Sequence, residues 1–200
     1  YELRRLNAPR LLLLQPRERG VALIASNDTA EPWRDTVEVR RTTLDGDTLA
    51  SERVAIDVAP RTGATTILGA QLQAPADPRH ELLVASCASA SENERAWWWF
   101  VEDLDLGLPR PALRTEVRPT EHGYDVVVTA QVLVKDLVVN IDRLDPAATV
   151  SEQLVTLLPG ESCTFAVTST TDLDPEAMTS RPVLMSVNHL AHPRSKADRA

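Results

Sequence analysis

Residues 20–58, GVALIASNDTAEPWRDTVEVRRTTLDGDTLASERVAIDV, decide the fold class. Three runs rich in Val, Ile, Thr and Leu are separated by two polar breaks, and such side chains fit a pleated, half-buried surface. The first break, SNDT, offers Asn27 and Asp28 as turn formers. The second, LDGD, places Asp45-Gly46 where a hairpin needs φ > 0. Working outward, runs of the same kind follow at the spacing of a β-sandwich, near RLLLLQP, ATTILGAQL, HELLVASCA and RAWWWFVE. The first half therefore reads as seven strands.

After LGLPRP the pattern restarts with ALRTEVRPT, YDVVVTAQV, LVVNIDR, SEQLVTL, ESCTFAVTS and PVLMSVN. Pro109 and Pro111 have no amide proton and cannot sit inside a ladder, so they mark a stiff boundary. In LLPGE, Pro159 presets φ and Gly160 is free to take the left-handed position of a turn. In DLDPEAMTS, Asp174 is placed to cap one helical turn with Pro175 at its first position. No long stretch carries a 3.6-residue period. The expected fold is all-β: two consecutive immunoglobulin-like β-sandwich domains over residues 1–108 and 109–193, followed by a disordered tail, 194–200.

The 200 residues carry 21 Lys and Arg against 29 Asp and Glu, a formal net charge of −8. Both halves share the excess, and an acidic surface repels nucleic acid and anionic membranes, so neither is an expected partner. The two cysteines, Cys87 and Cys163, fall one in each half and read as small buried core residues. No run approaches the ~18 apolar residues of a membrane span, and nothing at the start resembles a signal peptide. The cytoplasm is expected ahead of secretion.

The aromatic run raises the question of ligand binding. Side chains alternate along a strand, so Trp97 and Trp99 share one face while Trp98 and Phe100 share the other. One pair is expected to fill the first core and the other to lie under the second domain or its linker. A one-residue change of register exchanges the two faces, so the sequence does not say which pair is which. The competing reading is a sugar-stacking platform on Trp97 and Trp99. Trp33, in AEPWRD, reads as a loop residue and the better free-standing sugar contact.

Glycoside hydrolysis needs two carboxylates, and Glu92 and Glu94 stand beside the aromatic run, Glu94 in an Asn-Glu dipeptide. A chain without helices has no (β/α)₈ barrel to assemble such a pair, so both read as solvated turn residues. The histidines, His80, His122, His189 and His192, show no ligand spacing with cysteine or carboxylate, and no metal or other cofactor is expected. No G-x-S-x-G elbow and no phosphate-binding glycine loop occurs.

Four motifs in order carry a resemblance. The opening, YELRRLNAPRLLLLQPRERGVALIASNDTAEPWRDTVEVRRTTLDGDTL, resembles the segment that follows the catalytic barrel in β-mannosidases of glycoside hydrolase family 2, with its Y-x-x-x-R-x-x-A-P passage and N-D-T turn. ENERAWWWFVEDLDLGLPRP resembles the aromatic closing strand and L-x-L-P-x-P exit of that β-domain, and VTLLPGESCTFAV is similar to the L-L-P-G-E signature of the terminal Ig-like domain. A D-N-x-F passage often precedes that signature, and VSEQLVTLLPGE lacks its Asn and Phe. The resemblance implies a parent enzyme that hydrolyses terminal β-mannosides with retention through two barrel glutamates. Neither lies in this chain, so no catalytic residue carries over. The implied partners are the barrel of the same polypeptide and mannose-containing saccharides.

Overall fold

The computed structural model describes residues 6–87 and 95–192. The chain is mostly antiparallel strand and forms two compact units that divide between Gly107 and Leu108. The tail 194–200, expected to be disordered, lies outside the described residues, as do Glu92 and Glu94.

The first unit contains β1 (Arg10–Arg17), β2 (Gly20–Asn27), β3 (Trp33–Thr43), β4 (Thr48–Val58), β5 (Thr62–Ile67), β6 (Glu81–Cys87) and β7 (Arg95–Trp99). One sheet has the order β1-β2-β5 and the other β4-β3-β6-β7. The fourth strand pairs with the third instead of joining the sheet of the first two, so this is a three-plus-four variant of the immunoglobulin sandwich. Alternation fills the space between the sheets: Leu12, Leu14, Val21, Leu23 and Ala25 from one face Val37, Val39, Val54, Ile56, Leu83 and Ala85 from the other. Gly46 has φ of 95°, as the Asp45-Gly46 hairpin requires.

ATTILGAQL departs from its expected single strand. It ends at Ile67, and Ala70–Gln73 form a short helix, α1. The reason is Gln73, whose Oε1 accepts from the Val21 amide at 2.7 Å while its Nε2 donates to the Leu68 carbonyl. The side chain thus bridges the Val21 amide at the start of β2 and the Leu68 carbonyl just past β5, two groups that a continued ladder would pair with each other.

Asn27 terminates β2 with no solvent exposure. Its Nδ2 donates to the carbonyls of Glu31 (2.8 Å), Val58 (3.1 Å) and Ala59 (3.3 Å), and its Oδ1 accepts from Thr29 N (3.1 Å) and Thr29 Oγ1 (2.7 Å). The N-D-T passage is therefore more than a turn. It ties the end of one sheet to the end of β4 in the other.

The second unit contains β8 (Leu113–Thr120), β9 (Gly123–Ala130), β10 (Val134–Val139), β11 (Thr149–Val150), β12 (Val155–Leu157), β13 (Ser162–Thr168) and β14 (Leu184–Met185). Its sheets run β11-β13-β9-β8 and β12-β10-β14 around a core of Val126, Val128, Leu137, Phe165, Met178 and Leu184. At Gly123, φ is 143° and an added Cβ would stand 2.2 Å from the Val167 carbonyl oxygen, so no other residue fits that hairpin. Asp174 caps helix α2 (Pro175–Thr179) by accepting from Glu176 N at 3.0 Å, and Gly160 is left-handed at φ 85°.

SEQLVTL was expected to be one strand, but only Val155–Leu157 pair. Leu154 sits at φ 59°, and Gln153 uses its side-chain amide as a strand residue would use its backbone. It accepts from Val139 N at 2.9 Å and donates to Val139 O at 2.8 Å. PVLMSVN likewise gives only the two-residue β14 before helix α3 (Val187–Ala191). On α3, Asn188 is fully buried, accepting from Lys135 N and donating to the carbonyls of Leu133 and Pro109.

Asn27→Ala strands the Val58 carbonyl in the interior and removes the partner of the Ala59 carbonyl and the Thr29 amide. We expect about 3 kcal/mol lower stability in urea titrations, since each unpaired buried polar group costs about 1–3 kcal/mol. Asn27→Asp should be worse than Ala, because it turns a carboxylate oxygen toward three carbonyl oxygens.

Candidate functional site

The expected sugar contacts separate in the structure. Trp33 is the first residue of β3, not a loop residue, and is 1% exposed within the first core. The Asn27 network folds the segment before β3 inward and carries the indole with it. The Arg10 guanidinium lies 5.7 Å from its ring centroid. No indole face is left for a sugar ring, so Trp33 is corrected from binding candidate to core residue.

The aromatic run resolves its register. Trp98 and Phe100 pack against the first core. Trp97 and Trp99 take the opposite face of β7, half-buried, with ring planes 11° apart and centroids 6.3 Å apart. That spacing is close to the two-residue repeat of a strand, so backbone geometry sets the parallel indoles side by side. The Arg95 guanidinium lies 5.8 Å from the Trp97 ring centroid and extends the row. The Trp98 indole nitrogen is buried, with no hydrogen-bond partner among the described residues. Two parallel aromatic faces flanked by a cation are able to stack against sugar rings and donate to their hydroxyls.

Of the carboxylates, Glu92 and Glu94 lie outside the described residues, and Glu102, Asp103 and Asp105 are exposed on the loop after β7. Among the described residues of this unit, Glu81 is the buried acid. Its Oε1 accepts from Asp77 N at 2.8 Å, and its Oε2 stands 3.1 Å from Arg41 Nη1, an ion pair without hydrogen-bond alignment. Arg41 also donates to the Ala74 carbonyl. This pair fastens the 74–77 loop to the sheet.

The histidines are each engaged locally. His80 Nδ1 is 2.7 Å from Asp77 Oδ2, and this hydrogen bond holds the Asp77 carboxyl below its ordinary value. His122 occupies the β8–β9 turn, where its carbonyl accepts from Ser169 N. His189 Nδ1 accepts from the Ser186 amide at 3.1 Å, which leaves the ring proton on Nε2; His192 Nε2 is 2.8 Å from the Leu108 carbonyl oxygen. Among the described residues no three His, Cys, Asp or Glu side chains are grouped to hold a metal ion, and no helix is long and apolar enough to cross a membrane. Both cysteines are buried and free of disulfides.

A polar cleft in the second unit was not anticipated from sequence. Thr115 of β8, Thr179 and Ser180 at the end of α2, Arg181 and His189 of α3 line it, and its volume is about 270 Å³. Its residues come from three separate segments, so no local motif announces it.

No protein-family model matches the chain, and no curated protein matches it. Solved structures do share its fold. A β-D-mannosidase from Dictyoglomus thermophilum superposes with a TM-score of 0.72 at 15% identity, over 93% of this chain and 22% of that one. An exo-chitosanase, CsxA, from Amycolatopsis orientalis superposes with a TM-score of 0.56 at 14% identity, over 94% of this chain and 26% of that one. The present chain thus spans about a quarter of the length of either protein.

The two tryptophan environments are separable by mutation. Trp33→Ala should lower unfolding stability by about 3–5 kcal/mol as a buried aromatic truncation. Trp97→Ala, on the outer face of an edge strand, should cost less than half of that in the same urea titration.

Proposed function

We propose that the chain is the non-catalytic C-terminal region of a β-mannosidase of glycoside hydrolase family 2. Two sandwich domains, residues 1–108 and 109–193, pack on and support a (β/α)₈ barrel carried by the same polypeptide. The observation that carries this reading is the extent of the mannosidase likeness: nearly all of this chain corresponds to less than a quarter of that enzyme. The second neighbour, named an exo-chitosanase, stands in the same proportion. The four sequence motifs point to the mannosidase side of that pair. The barrel supplies both catalytic glutamates, and the sandwiches supply rigid surfaces that hold it and wall its active site.

The purified chain should therefore show no turnover of aryl β-mannosides. The full polypeptide should hydrolyse aryl β-mannosides ahead of aryl β-glucosaminides. Turnover by the isolated chain that disappears in Glu92→Gln or Glu94→Gln overturns the reading, and so does a coding sequence upstream of Tyr1 that encodes no barrel.

The parallel indoles of Trp97 and Trp99 favour a second reading, a carbohydrate-binding module. Titrating tryptophan fluorescence with mannobiose discriminates the two. Saturable quenching lost in Trp97→Ala or Trp99→Ala supports binding, and a flat titration supports the supporting role.

A further inference from the structure

The cleft of the second unit is chemically unlike the rest of the chain. In a protein with a net charge of −8, none of the residues lining it is acidic. Arg181 is half-buried there and has no hydrogen-bond or ion-pair partner among the described residues. Arginines near acids elsewhere do find partners: Arg34 meets Asp57 at 3.1 Å, and Arg118 binds both oxygens of Glu116 at 2.8 and 2.9 Å. Two acids on the neighbouring elements are otherwise engaged, Glu116 with Arg118 and Asp174 as the cap of α2.

The backbone fixes this guanidinium's root. The Ser180 carbonyl accepts from both Val183 N (2.9 Å) and Leu184 N (3.0 Å), so Arg181 sits inside a closed turn. The hydroxyls of Thr115 and Ser180 also have no partner among the described residues, and each is a donor on the cleft wall. Thr179 spends its proton on the Pro175 and Glu176 carbonyls and keeps only acceptor capacity. A planar guanidinium with two free hydroxyl donors is a set of donors without a matching acceptor. That set complements a carboxylate or phosphate group, which accepts two parallel hydrogen bonds from arginine.

Size bounds the ligand. The volume of about 270 Å³ is just under the ~300 Å³ at which small-molecule pockets begin, and a water takes about 30 Å³ of liquid. The cleft is open to solvent, and its floor holds one sugar ring or a free anion. We propose that this cleft binds a small oxyanion, either free or carried on a ligand no larger than a single sugar ring, with Arg181 as the anchoring cation and Thr115 and Ser180 as supporting donors. The site is independent of β-mannoside hydrolysis and stands whether or not that reading does.

Calorimetric titration of the whole chain at constant ionic strength tests it with inorganic phosphate, glucuronate and glucose. Phosphate or glucuronate should bind at about millimolar concentration, and glucose at least about tenfold more weakly. Binding of glucuronate alone identifies a sugar acid as the ligand, and binding of phosphate alone identifies a free anion. Arg181→Gln should weaken either by at least about tenfold with an unchanged far-UV circular dichroism spectrum. Thr115→Val, which leaves the 180–184 turn untouched, should weaken it several-fold. Flat titrations with both anions, equal binding of glucose, or full affinity in a folded Arg181→Gln protein would overturn the proposal.

Discussion

A carboxamide with no access to water must find every hydrogen bond inside the protein, and each unit is built around one that does. In the first, Asn27 reaches the carbonyls of Glu31, Val58 and Ala59, so the last residue of β2 is fixed to the end of β4 across the sandwich. In the second, Asn188 joins α3 to Lys135 and Leu133 at the start of β10 and to Pro109 at the entry of the unit. Hydrophobic burial holds the sheets together but does not set their ends in register. These directional bonds do, because any sliding of the sheets would strand polar groups in the interior.

The placement of the aromatic residues follows from that constraint. With the segment before β3 drawn in by Asn27, Trp33 becomes core, and the loops around it no longer offer an aromatic to a ligand. At the other side of the sheet, the pairing of Trp98 with Leu83 fixes which indoles of β7 turn inward. Trp97 and Trp99 are left as a parallel row on the outer face.

The strands were legible because alternation and turn residues are local. GVALIASN and TLASERVAIDV coincide with β2 and β4, and Asp174 caps α2 where the dipeptide with Pro175 indicated. The misses share one cause. Gln73 and Gln153 bond through their side chains to backbone 52 and 14 residues away, and those long-range bonds end strands that propensity would extend. Trp33 was misread for the same reason, since the bonds that bury it run from Asn27 to β4. The cleft around Arg181 was invisible because Thr115 and His189 are brought together only by the fold.

The outer strands bear on whether two such sandwiches are able to stand in tandem without fusing to other copies. An unpaired edge invites another strand. In the first unit β1 runs beside β7 and β4 beside β5, so both seams are flanked although they are not hydrogen-bonded into one sheet. In the second, β8 exposes Arg114, Glu116 and Arg118 in alternation and ends in Pro119-Thr120, which offers one fewer amide to a newcomer. Its remaining edges are only two or three residues long, in β11, β12 and β14. Such short edges give lateral strand addition almost no template.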